Sequence, residues 1–139
     1  AKTPVRLSVT PMERLGRIHA SVEDLLPKDI RYVGGKAANF ATLIRSVPNH
    51  VPGPSLAFTF DLWMDFLEQV LPDGRTLRSA LGERLKGHSY PPDMGRLASD
   101  LAAIRSLIKD TCDFSESQKR SILDALKPLQ PKGMVMSST

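Results

Sequence analysis

A single cysteine, Cys112, in 139 residues excludes an internal disulfide and a cysteine-rich zinc site. The three histidines, His19, His50 and His88, lie far apart and lack metal-ligand spacing, so each reads as a solvated or packed side chain. No apolar run approaches the roughly 18 residues of a membrane span, because charges interrupt every candidate. An apolar h-region is missing from the N-terminus, which excludes a secretory signal there and fits a reducing cytoplasm. Repeats and low-complexity tracts are absent as well. Acidic residues are scarce at the start: residues 1–50 hold Glu13, Glu23, Asp24 and Asp29 against Lys2, Arg6, Arg14, Arg17, Lys28, Arg31, Lys36 and Arg45. The remainder is balanced, so the whole net charge of +4 sits in that first stretch. Such a local surplus suits a polyphosphate or nucleic-acid partner, or an ordinary solvated surface.

An apolar fraction of 41% and a charged fraction of 24% are those of a folded chain, with length for a single domain over 1–139. Residues 1–11 carry two prolines and read as a flexible arm. Arg17–Ala20 reads as a short strand, and Val22–Leu26 as a helical turn that Pro27 ends. Ile30–Val33 is β-prone and stops at Gly34-Gly35. Lys36–Ser46 reads as a helix, with Ala37, Phe40, Ala41 and Ile44 on one stripe. Leu56–Phe58 has the unbroken apolarity of a buried strand. Phe60, Trp63, Met64, Leu67, Val70 and Leu71 then define a helix whose stripe faces the core, with Thr59 as its N-cap and Asp61 near its positive end. Leu77 to Gly87 gives a shorter helix, and Leu97, Leu101, Ile104 and Ile108 a longer one. Cys112 near its end is a small packing residue, and the adjacent Asp110 and Asp113 mark a capped helix end. Ser115-Glu116-Ser117-Gln118 is a capping box, opening a helix that buries Ile122, Leu123 and Leu126 and stops near Pro128. Met134–Met136 is a last β-prone run. Few short strands among about five helices predict an α+β fold.

A strand, two glycines, a lysine and then a helix make a reasonable anion site. Glycines let backbone amides approach an anion, and a helix start offers unpaired N–H groups and about half a positive charge. Lys36 adds a mobile cation. A solvated surface turn is the plainer alternative. The P-loop pattern would need glycine at position 30 and Ser or Thr at position 37, where the chain has Ile30 and Ala37, and G-x-G-x-x-G is absent.

The wider context resembles the N-terminal nucleotide-binding domain of the phosphoenolpyruvate synthase and pyruvate phosphate dikinase family. Gly34, Gly35, Lys36, Ala37, Ala38, Asn39 and Phe40 match its G-G-K-[GA]-A-N-[LF] helix opening. Pro52 and Pro54 match its proline-rich turn, and Ala57, Phe58, Thr59, Asp61, Phe66 and Leu67 its strand and T-x-[DE]-A-Y-x-x-F-L run. Trp63 replaces the usual tyrosine, Ser55 a glycine and Leu56 a phenylalanine. Val135–Thr139 resembles the start of its V-R-S-S segment, with Met136 where the family has arginine.

The resemblance implies the N-terminal lobe of an ATP-grasp domain with a helical subdomain. It also implies that ATP held there phosphorylates a histidine on another domain of the parent protein, the acceptor being chosen elsewhere. Lys36 would be a phosphate ligand, with Gly34 and Gly35 shaping its loop. No catalytic or metal-binding residue is assigned to this chain: Mg2+ ligands are expected outside it, and the chain alone is expected to hold at most half a site and to be inactive. Two alternatives stand beside this reading. One is a degenerate interaction module of the same fold, with Met136 marking a lost nucleotide site; the other is a small basic nucleic-acid-binding domain.

Overall fold

The computed structural model describes residues 9–47, 49 and 53–129. Most of the 1–11 arm, together with His50, Pro52 and the Met134–Met136 run, lies outside the described residues. The described chain is α+β and mostly helical, with a two-stranded sheet and six helices: β1 (His19–Ser21), α1 (Ile30–Val33), α2 (Gly35–Ser46), β2 (Leu56–Phe58), α3 (Phe60–Leu67), α4 (Leu77–Leu85), α5 (Met94–Thr111) and α6 (Glu116–Leu126). Two compact units are distinguished, Ala1–Leu62 with Ser121–Thr139, and Trp63–Arg120.

In the first unit β1 and β2 pair antiparallel, with His19 opposite Phe58, Ala20 opposite Ala57 and Ser21 opposite Leu56. Alternation puts Ala20 and Ala57 on one face of the sheet, where α2 packs with Ala41. The α2 stripe read from the sequence is the one that packs there: Ala37, Phe40 and Ile44 flank Ala41, which is fully buried, beside Val22 and Leu25. Small residues at 20, 41 and 57 let helix and sheet approach closely. The Arg45 guanidinium donates to the Leu25 carbonyl at 2.7 Å, closing the turn that precedes α1.

Four local expectations for the first unit differ from the structure. Ile30–Val33 is a single helical turn and not a strand, because the Gly34 N–H donates to the Ile30 carbonyl at 2.8 Å. That turn accounts for six helices against the five expected. Pro27 does not merely end the preceding turn; it opens a second 3-10 turn, Pro27–Asp29, as suits a residue with a fixed φ and no N–H. Thr59 precedes α3 without capping it: its hydroxyl donates to the Arg17 carbonyl at 2.6 Å and, at 3.2 Å, to Asp61. In α6 Leu123 is 55% exposed, and the buried contact falls instead to Ala125.

Asp61 has a larger role than a favourable charge in the first turn of α3. Its buried carboxylate accepts from the backbone amides of Leu15, at 2.7 Å, and Gly16, at 2.9 Å. Burial alone would raise its pKa, but the Leu15 and Gly16 amides, with the Thr59 hydroxyl, more than offset this and hold it below the ordinary 3.8.

The second unit is built around Phe66, Leu67, Leu71, Leu77 and Ala80, with Leu107, Ile108 and Cys112 of the α5 end packed against them. Here α3 stops at Leu67, short of the Leu71 expected. The Leu71 N–H turns to the Arg75 carbonyl at 2.8 Å, and Val70 bridges to Thr76 around Gly74, whose φ of 88° favours glycine. Val70 is consequently 70% exposed. Trp63 lies at the edge of this core, 37% exposed and stacked on Phe66 at 5.6 Å between ring centres.

Candidate functional site

The start of α2 brings Gly34, Gly35 and Lys36 together as the sequence pattern anticipates, on a helical turn rather than after a strand. Gly34 has φ 83° and ψ 167°, a region essentially confined to glycine. A Cβ there would also lie 3.4 Å from the Phe60 ring. The backbone conformation is the constraint, and it comes from the fold; the Phe60 approach is van der Waals contact. Gly35 differs: it is the first helical residue, and a Cβ would make an ordinary 3.7 Å contact with Ile30 Cδ1. The fold therefore tolerates a side chain at 35, in van der Waals contact with Ile30.

The first turn of α2 has unspent donors. The Ala38 N–H reaches the Gly34 carbonyl at 3.3 Å, which leaves the N–H groups of Gly35, Lys36 and Ala37 without intrahelical acceptors. No side chain caps this start, and no acidic residue lies in the first turn. Lys36 is exposed, and among the described residues no carboxylate pairs with it. Three amides, the positive end of a 12-residue helix and an unpaired ammonium form a local anion-attracting surface. This donor set fits phosphate oxygens. It does not fit Mg2+, which requires oxygen ligands that this turn lacks.

Other residues singled out in the sequence are committed elsewhere. The Arg31 guanidinium lies 4.9 Å from the Tyr32 ring centre and 3.7 Å from Glu13. Cys112 packs in the second core, and burial pushes its thiol pKa up, as for an unreactive packing residue. Asp113 accepts from the Phe114 N–H at 2.8 Å and pairs with Lys119 at 3.0 Å; the Lys119 hydrogen bond, then the Phe114 amide, holds its pKa down. Among the described residues no cluster of three His, Cys, Asp or Glu is placed to hold a metal ion. Met136 lies outside the described residues.

One polar constellation has no signature in the sequence pattern. His88 Nε2 lies 2.6 Å from Asp100, whose other oxygen meets Arg84 at 3.0 Å. The His88 hydrogen bond is the main cause holding the Asp100 carboxyl below its usual range. This network ties His88, three residues past the α4 end, to α5 across 12 positions, a pairing that no local sequence pattern announces.

No helix among the described residues is long and apolar enough to cross a membrane. Compared with known proteins, the chain matches no protein-family model, no curated protein and no solved structure.

Proposed function

We propose that this chain is the N-terminal lobe of an ATP-grasp nucleotide domain in a dikinase-type phosphotransferase, similar to phosphoenolpyruvate synthase and pyruvate phosphate dikinase. The open start of α2 is then the place where nucleotide phosphate docks. The observation that carries this reading is the coincidence of the Gly34-Gly35-Lys36 motif with a helix start that has neither side-chain cap nor acid. Lys36 would neutralise phosphate charge, the amides of Gly35, Lys36 and Ala37 would donate to its oxygens, and Gly35 would keep the approach clear. Bound ATP supplies the phosphoryl group; the residues of this chain bind and orient it. Phosphorylation of a histidine elsewhere in the parent protein, with Mg2+ held by residues elsewhere, completes the proposal.

Calorimetric titration with Mg-ATP tests the reading. One ammonium and three amides support a Kd of about 1 mM, or roughly −4 kcal/mol. Lys36→Ala should abolish that binding and leave the melting temperature almost unchanged, because an exposed side chain of this kind contributes within about 0.5 kcal/mol. Binding that survives Lys36→Ala would sink the assignment. Unfolding of the variant would make Lys36 a structural residue instead.

A further inference from the structure

On the first unit, the sheet face opposite α2 borders two cavities of about 450 and 350 Å3. Both have Arg17, His19 and Ala125 as walls, so they form one cleft, of a size that suits a small molecule. It is separate from the start of α2. By strand alternation His19 and Ser21 point away from the Ala20 side that packs on α2.

Three polar groups of this cleft have no protein partner among the described residues. Arg17 lines it, and no carboxylate among the described residues pairs with that guanidinium. Asp24 lines the larger cavity, and no cation among the described residues pairs with it, so these opposite charges share a cleft without an ion pair between them. His19 Nδ1 is buried with no hydrogen-bond partner. With Nδ1 enclosed, Nε2 is the ring nitrogen available to the cleft, and it donates in the tautomer that carries its hydrogen there. Asp124, the other carboxylate in the cleft, is already paired with Lys127 at 3.0 Å.

The geometry points to a binding site for a small zwitterion of amino-acid type, its carboxylate held by Arg17 and the His19 Nε2–H and its ammonium by Asp24. A ligand with both charges completes both walls at once, whereas a simple anion leaves Asp24 unmatched and a simple cation leaves Arg17 unmatched. Guanidinium pairs bidentately with carboxylate, which gives the site its orientation.

The test is an NMR titration of the full 139-residue chain with glycine, β-alanine and γ-aminobutyrate, using acetate and methylammonium as single-charge controls. At least one zwitterion should shift the His19 and Ser21 amides and the His19 Nε2 resonance saturably. Arg17→Gln and Asp24→Asn should each weaken it about tenfold, the scale of one charge-assisted hydrogen bond. Both side chains are exposed, so the spectra away from the cleft should stay unchanged. Lys36→Ala should have no effect, which separates this site from the start of α2. The proposal is overturned if no zwitterion gives a saturable shift, if acetate binds as tightly as every zwitterion, or if neither charge-removing variant weakens binding.

Discussion

The starts of α2 and α6 answer the same physical problem in opposite ways. At α6 the Gln118 N–H donates to Ser115 Oγ at 3.1 Å, and Gln118 Oε1 accepts from the Ser115 N–H at 2.9 Å. Glu116 adds negative charge in the first turn. The starts of α4 and α5 are likewise closed, by Thr76 and Asp93, which accept from the Ser79 and Arg96 amides. At α2 neither a cap nor an acid is present. Capping with a Ser or Asp is worth about 1 kcal/mol, so α2, like the single-turn α1 before it, forgoes stability that α4, α5 and α6 secure. An anion bound at α2 would recover it. That contrast, more than the motif alone, distinguishes a site from a surface turn.

The largest effect should come from the remaining acidic helix start, that of α3, where Asp61 is spent on tying down residues 15 and 16. Asp61→Ala removes a charged acceptor from two amides and strands them, at a cost of about 3 kcal/mol in urea unfolding. The pH dependence has a definite sign. The folded-state pKa lies below the ordinary 3.8, so the contribution is complete above that value and is lost as pH falls through the folded one. Asp61→Asn should flatten this acid limb of the stability curve. An unchanged limb would mean that another carboxylate dominates it.

The two glycines should then separate. Gly34→Ala forces a side chain into a glycine-only conformation beside the Phe60 ring and should cost about 1–3 kcal/mol. Gly35→Ala, at an ordinary helical position, should leave stability equal or raised by roughly 0.5–1 kcal/mol while weakening Mg-ATP binding. If both substitutions destabilise equally, the glycine at 35 is required by the fold and not by a ligand. Smaller again is Ser115→Ala, which should cost about 1 kcal/mol through loss of the α6 cap. A value near zero would show that capping differences between helix starts do not matter here, which removes the basis of the comparison.

What was legible in the sequence was what local chemistry decides. The capping box at Ser115–Gln118 and the α2 stripe depend on residues three or four positions apart, and both appear as read. Residues Leu56–Phe58, an unbroken apolar run, form β2. The misses depend on distant partners. Thr59 looks like an N-cap until Arg17, 42 residues earlier, takes its hydroxyl. The partners of Asp61 are 45 and 46 residues away. Ile30–Val33 is β-prone by composition, yet the turn into Gly34 closes it as a helix. For the candidate site, Gly34, Gly35 and Lys36 were readable as a motif. The division of labour between the glycines, and the missing cap, were not, because they rest on Phe60 and on what is absent around the first turn of α2.

Amide NMR during Mg-ATP titration reads directly whether the open start of α2 is an anion site. The Gly35, Lys36 and Ala37 N–H resonances should shift saturably, the closed starts at Ser79, Arg96 and Gln118 should stay still, and Lys36→Ala should erase the response. Still resonances at residues 35–37, or equal shifts at the capped starts, would contradict it.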